Sequence, residues 1–125
     1  MKTIKRRTGD LGEEIAETYL KKRGYVILDR NYNRKWGELD IVAKFKKDIV
    51  FAEVKSKGKD SDFLPAQNVN YFKQQRLIRV ARTWLAENKI PASANWQIDV
   101  IIVELDYGKR NAKIKHLKNC VWDKD

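Results

Sequence analysis

Two short runs bring together the side chains most suited to chemistry: Gly37-Glu38-Leu39-Asp40 and Glu53-Val54-Lys55. Both read as β-strands, 37–45 and 49–56, joined by a turn at Lys46-Lys47-Asp48 or part of it. Strand side chains alternate between faces, so Glu38 and Asp40 share one face and Leu39, Ile41 and Ala43 the other. Glu53 and Lys55 likewise share a face. A two- or four-residue turn pairs residue 45 with 48, setting Asp40 opposite Glu53 and Glu38 opposite Lys55. A three-residue loop would shift the register and put Asp40 and Glu53 on opposite faces. Two carboxylates facing each other across a strand pair repel. A hard divalent cation relieves the repulsion, and Mg²⁺ takes carboxylate oxygens while keeping several waters. Lys55 beside it would orient a water or offset charge on a phosphate. That is the chemistry of metal-assisted phosphodiester hydrolysis. The same alternation also suits an exposed sheet face of mixed charge, and the hairpin alone leaves both readings open.

Two helices must position this hairpin. The first eight residues read as a loose basic arm. Helical spacing then runs through Leu11, Ile15, Ala16, Tyr19 and Leu20, and ends at Gly24 after Lys21, Lys22 and Arg23. Gly12 points into the core and Gly9 borders it. A helical glycine costs about 1 kcal/mol relative to Ala, which close approach of the helix to the sheet would explain. Glu13 sits at the rim of the buried face, where such a contact brings it to the carboxylates. The second helix is predicted over 67–88, built on Val69, Phe72, Leu77, Val80, Ala81, Trp84 and Leu85, with Asn88 and Pro91 as stops. Lys73 and Gln74 fall on its apolar face; either they snorkel out or they border a cleft. Arg76, Arg79 and Arg82 lie on the opposite face as a charged stripe. Further strands are expected at 25–33, 96–105 and 112–118, and a loop at 57–66. The order α-β-β-β-α-β-β implies one α/β domain over 1–125, a mixed five-stranded sheet flanked by helices.

Charge and composition narrow the partner. The 125 residues carry 27 Lys or Arg and 17 Asp or Glu, a net charge of +10, which attracts phosphate backbones. The excess sits at both ends of the hairpin: residues 1–35 hold 10 basic and 5 acidic side chains, 67–90 hold 5 and 1, but 36–66 hold 6 of each. A glove for nucleic acid has no need of acid in the middle, whereas an enzyme that cuts one does. No run of 18 apolar residues is present, so no membrane helix is expected. The basic start lacks an apolar signal core, so a cytoplasmic location is expected. The single Cys120 excludes an internal disulfide and a cysteine zinc site. Asp99 interrupts an apolar strand and so needs a partner, read here as a basic residue. The lone His116 is expected to be exposed.

Taken together, Gly9-x-x-Gly12-Glu13, Gly37-Glu38-Leu39-Asp40, Glu53-Val54-Lys55 and Lys73-Gln74 with Arg76-Leu77 and Ala81 resemble the small endonuclease-like bacterial proteins of the YraN type (UPF0102). The match spans nearly the whole chain, and Asp99 also falls on a family position. That family is similar to archaeal Holliday junction resolvases and to the PD-(D/E)XK nucleases. The resemblance implies a restriction-endonuclease-like fold, with Asp40 and Glu53 as metal ligands, the Val54 carbonyl on the metal and Lys55 catalytic. Glu13 matches the helix-borne acid of the resolvase site. Leu39 departs from the superfamily pattern, standing where Pro would precede Asp40.

The expectation is therefore a Mg²⁺-dependent DNA endonuclease, with Mn²⁺ as substitute, selective for branched or structured DNA. Glu13, Asp40, Glu53 and Lys55 would form the catalytic set. Lys5, Arg6, Arg7, Lys57, Lys59, Lys73, Gln74 and Arg76 would hold phosphates without reading sequence. Junction resolution would call for two active sites and so for a homodimer. Trp36 and Phe63 either stack on an unpaired base or pack internally. One rival is a nucleic-acid-binding module that keeps the nuclease fold without catalysis; another is an adaptor whose acidic face docks a protein.

Overall fold

The computed structural model describes residues 4–59 and 70–121, with the side chains of 4–8 excepted. The elements are α1 (Ile4–Lys22), β1 (Val26–Arg34), β2 (Gly37–Phe45), β3 (Asp48–Gly58), α2 (Tyr71–Glu87), β4 (Trp96–Asp106) and β5 (Asn111–Leu117). This is the expected order. The five strands form one mixed sheet in the order β1-β2-β3-β4-β5. Every neighbouring pair is antiparallel except β3 with β4. That parallel pair needs a crossover, which α2 supplies. Among the described residues, no helix is long and apolar enough to cross a membrane.

The helices cover opposite faces. α1 lays Ala16 and Leu20 on Ile41, Ala43, Val50, Ala52, Ile101, Val103 and Leu105. α2 lays Leu77, Ile78, Val80, Ala81 and Trp84 on Leu39, Val42, Phe51 and Ile98. Both helices stop where expected, α1 before Gly24 and α2 at Asn88, but α2 begins at Tyr71 rather than at 67. Gly24 at φ 91 closes α1, with Tyr25 N–H donating to the Leu20 carbonyl and Gly24 N–H to Lys21. Asn70 caps α2 by accepting from Lys73 N–H at 2.9 Å.

Several expectations are corrected. α1 begins at Ile4, so part of the segment read as a loose arm is helical; Lys and Arg there are good helix formers and nothing breaks the turn. The strand read as ending at 56 runs to Gly58, because the parallel ladder with β4 continues through Lys57↔Glu104 and Gly58↔Leu105. Lys57 is thus a strand residue rather than a loop residue. Phe72, expected in the core, is 74% exposed, since it lies in the first turn of α2, before that helix reaches the sheet. The α2 side chains on the sheet begin at Leu77.

Gly9 has no neighbour within 4 Å of the position a Cβ would take, so it does not border a tight contact. Gly12 does. A Cβ there would fall 1.7 Å from Ser56 Oγ and 2.9 Å from Ser56 Cβ on β3. Helix propensity favours Ala over Gly by about 1 kcal/mol, but overpacking of this severity costs about 3 kcal/mol, so the clash wins. Gly12→Ala is expected to lower the free energy of urea unfolding by about 2 kcal/mol. Adding Ser56→Gly should recover most of the loss; a Gly12→Ala protein as stable as the parent would show that α1 does not lie this close to β3.

Candidate active site

The hairpin register is the one that places the acids together. β2 pairs with β3 through Phe45↔Asp48, Ala43↔Val50 and Ile41↔Ala52. The ladder stops at Ile41, one pair short of Asp40 and Glu53. Beyond it Asp40 Oδ2 accepts a hydrogen bond from Val54 N–H at 2.7 Å. The side chain of β2 has replaced its backbone as the partner of β3. The face alternation shifts at the same point. Ile41 and Ala43 belong to the α1-side cluster, but Leu39 joins Val42 on the α2 side. Leu39 therefore does not share a face with Ile41 and Ala43, and the expected pairing of Glu38 with Lys55 does not form. Lys55 turns to Glu53 instead, with Nζ 3.2 Å from Oε1.

The result is a half-sunk cluster of charge. Asp40 is 7% exposed, and the Glu53 and Lys55 side chains are 11% and 17% exposed. Lys73 reaches in from α2, with Nζ 3.7 Å from Glu53 Oε1. Its place resolves the open question: Lys73 borders a cleft. That cleft, of about 320 Å³, is lined by Gly37, Glu38, Glu53, Lys73, Arg76 and Leu77. A larger hollow of about 530 Å³ lies between α1 and the far strands, and Leu11, Ile15, Leu105 and Tyr107 among others line it. It contains none of these groups.

Burial is the largest influence on each shifted group here, though for Lys55 it is outweighed. Asp40 is pushed up to about 8 by desolvation and then by the neighbouring Glu53 charge, against the Val54 N–H hydrogen bond, with Glu13 and Glu38 adding to the rise. Glu13 is raised by burial, opposed by Arg30, with Glu38, Asp10 and Glu53 adding to the rise. These couplings place Glu13 of α1 in the electrostatic field of the β2–β3 acids. Glu13 Oε1 is buried without a hydrogen-bond partner, an open acceptor within the influence of the β2–β3 acids. Burial works against the Lys55 charge too, yet Lys73 and the Glu53 carboxylate hold its pKa above the ordinary lysine value. Lys73 is lowered by burial and by Lys55.

A measurable consequence follows for Asp40. Its folded pKa lies above the unfolded one, so between about 4 and 8 the folded state holds a proton that the unfolded chain has released. Stability must fall as pH rises across that window. Urea midpoints of chelator-treated protein at pH 5 and pH 8 should show this loss, and Asp40→Asn should flatten it. An unchanged slope in Asp40→Asn would assign the proton to another group.

The donor set suits a hard cation. Asp40 and Glu53 supply carboxylate oxygens, and Glu13 an unsatisfied one. On a strand the N–H and C=O of one residue leave on the same edge, so Val54 turns its carbonyl toward the gap Asp40 spans. Among the described residues, no three Asp, Glu, His or Cys side chains are gathered into a ready-made cage.

The other expected residues are only partly brought to the site. Lys59 Nζ is 3.6 Å from Asp106 Oδ2, away from the acids. Arg76 is exposed and lines the cleft, and Gln74 is half-buried. Lys5, Arg6 and Arg7 fall on the first turns of α1, but their side chains, like Phe63, lie outside the described residues. Trp36 packs against the α2-side core, with the Arg79 guanidinium 4.6 Å above its ring.

His116 corrects a further expectation. Its side chain is 5% exposed, with Nε2 2.7 Å from Oδ2 of the fully buried Asp99 and Nδ1 2.9 Å from the Tyr19 hydroxyl. Asp99 Oδ1 accepts from Gln97 Nε2 and Asn119 N–H, both at 2.8 Å. Asp99 does find a basic partner, as expected, and that partner is the histidine. The signal was there: a carboxylate within an apolar strand requires a donor, and His116 lies one strand over.

The whole chain has close counterparts. It is 40% identical over 120 residues to a UPF0102 protein of Clostridium acetobutylicum, covering 96% of this chain and 98% of that one. A UPF0102 protein of Pelobacter propionicus is 42% identical over 117 residues, covering 92% and 82%. One from Alkaliphilus oremlandii is 36% identical over 117 residues, covering 94% and 99%. The model of the uncharacterised protein family UPF0102 matches residues 12–103, from the glycine under which α1 meets β3 to the heart of β4. This protein is a member of the UPF0102 family.

Proposed function

We propose that this protein is a divalent-metal-dependent endonuclease acting on DNA, with a restriction-endonuclease-like fold and a preference for branched or structured substrates. One observation carries the reading. Two lysines converge on one oxygen of the sunken Glu53, next to the buried Asp40, whose pKa is pushed up to about 8 by burial first and by the Glu53 charge second. Such a cluster costs stability and adds nothing to the core, so it calls for a use.

Asp40, Glu53 and the Val54 carbonyl would hold Mg²⁺ or Mn²⁺, with Glu13 acting directly or through water. A cation there supplies charge against the scissile phosphate and acidifies a water. Lys55 then orients the attacking water or offsets the charge that builds on the phosphate. Lys73 and Arg76 hold the flanking backbone from the cleft wall.

A catalytically silent nucleic-acid-binding module also has an observation in its favour. Lys55 and Lys73 both lie within ion-pair distance of Glu53 Oε1 and so offset its charge. Metal binding separates the two readings. The nuclease is expected to bind Mn²⁺ by calorimetry and to cleave a panel of junction, flap, single-stranded and duplex DNA only with Mg²⁺ or Mn²⁺ present. Binding to DNA without metal uptake or cleavage on any of these substrates would favour the silent module.

A further inference from the structure

The first turn of α2 carries two exposed aromatics that the candidate chemistry does not use. Tyr71 is 56% exposed and Phe72 74% exposed. Their rings meet in a T, with centroids 5.7 Å apart and planes at 76°. In a T-shaped pair one ring offers only its edge, so that ring keeps both faces open. Large aromatics left bare to this degree cost free energy unless something covers them.

Their neighbours define what could. Lys73, the next residue, reaches Glu53 at 3.7 Å, so this turn stands at the mouth of the candidate site. Arg76, one helical turn on, is exposed and lines the same cleft. Asn70 pins the turn through its bond to Lys73 N–H. Open rings on a rigid turn, with cations beside them and a net charge of +10 behind, match one class of ligand. That ligand is a polyanion whose monomers have flat apolar faces. A protein surface would supply the apolar contact but not the phosphates. A paired duplex would supply the phosphates but keep its bases stacked inside.

From this juxtaposition we infer that Tyr71 and Phe72 form a stacking platform for an unpaired base next to the phosphate to be cut. The inference rests on the proposed nucleic-acid reading and deepens it: the preferred substrate has single-stranded nucleotides at the site, as in a flap, gap or open junction. Lys73 and Arg76 hold the phosphates on either side of the stacked base. Base–aromatic stacking is sequence-tolerant, so no sequence preference is expected.

The test needs neither metal nor cleavage. The full chain, in chelator, is titrated into a single-stranded oligonucleotide carrying 2-aminopurine and, separately, into its blunt duplex. Phe72→Ala is expected to weaken single-strand binding about tenfold and to abolish 2-aminopurine quenching, with duplex affinity changed less than twofold. Phe72→Trp should restore both signals, and Tyr71→Ala should weaken single-strand binding in the same direction. Equal losses on single strand and duplex, or no loss on either, would overturn the platform while leaving the nuclease reading intact. A parent protein that binds neither oligonucleotide would overturn the nucleic-acid reading itself.

Discussion

Glu53→Ala is expected to lower metal-dependent cleavage at least about a thousandfold, with DNA binding in chelator retained. A thousandfold corresponds to about 4 kcal/mol of transition-state stabilisation, the scale expected when a metal ligand and the orientation of a catalytic group are lost together. In the proposed reading Glu53 would serve both purposes: besides offering a carboxylate to the metal, its Oε1 lies 3.2 Å from Lys55 Nζ and 3.7 Å from Lys73 Nζ. The variant removes a negative charge from the surface proposed to meet phosphates, so DNA affinity should hold or rise slightly, most visibly at low salt. Lys55→Ala separates the two contributions: cleavage falls by a similar factor, while Mn²⁺ uptake measured by calorimetry persists. Cleavage by Glu53→Ala at the parental rate would falsify the assignment of the site, whatever the protein binds.

The largest expected effect on stability lies on the other side of the sheet. His116→Ala should lower the free energy of unfolding by about 3 kcal/mol, read as a fall in Tm of roughly 10 °C. Asp99 is completely buried. Its Oδ1 has two donors, but among the described contacts only the His116 ring serves Oδ2. Removing that ring strands a carboxylate oxygen in an apolar layer. It also frees the Tyr19 hydroxyl, through which the end of α1 is tied to β5. Replacing both partners with apolar groups of similar size, Asp99→Leu with His116→Phe, should recover much of the loss, because a buried polar pair costs its desolvation as well. A loss below 1 kcal/mol in His116→Ala would mean that another donor takes the place of the ring.

These two sites also mark how far local pattern reaches. The element order was legible because each segment carries its own periodicity and stops: Gly24 behind the first helix, Asn88 behind the second, alternation in 37–45 and 49–56. The hairpin register was legible because turn length sets it, and Phe45↔Asp48 through Ile41↔Ala52 follow. Gly12 pointed to a close contact because a helical glycine is costly without one. Local pattern failed at Leu39, where one shift in alternation at Asp40 moves the side chain to the other face. It failed at Phe72, whose apolar character says nothing about how far α2 extends past the sheet.

Local sequence was enough for the kinds of element, their order and the carboxylates and lysines available for chemistry. It sufficed because periodicity, capping and turn length act between residues a few positions apart. Only the tertiary structure decided that Asp40 takes the Val54 N–H, that Lys73 crosses from α2 to Glu53 and that His116 lies under Tyr19 against Asp99. Each of those contacts joins different elements. Such contacts are set by where the cores on the two faces of the sheet place their helices, and by the burial that makes an unpaired polar group too costly to leave alone.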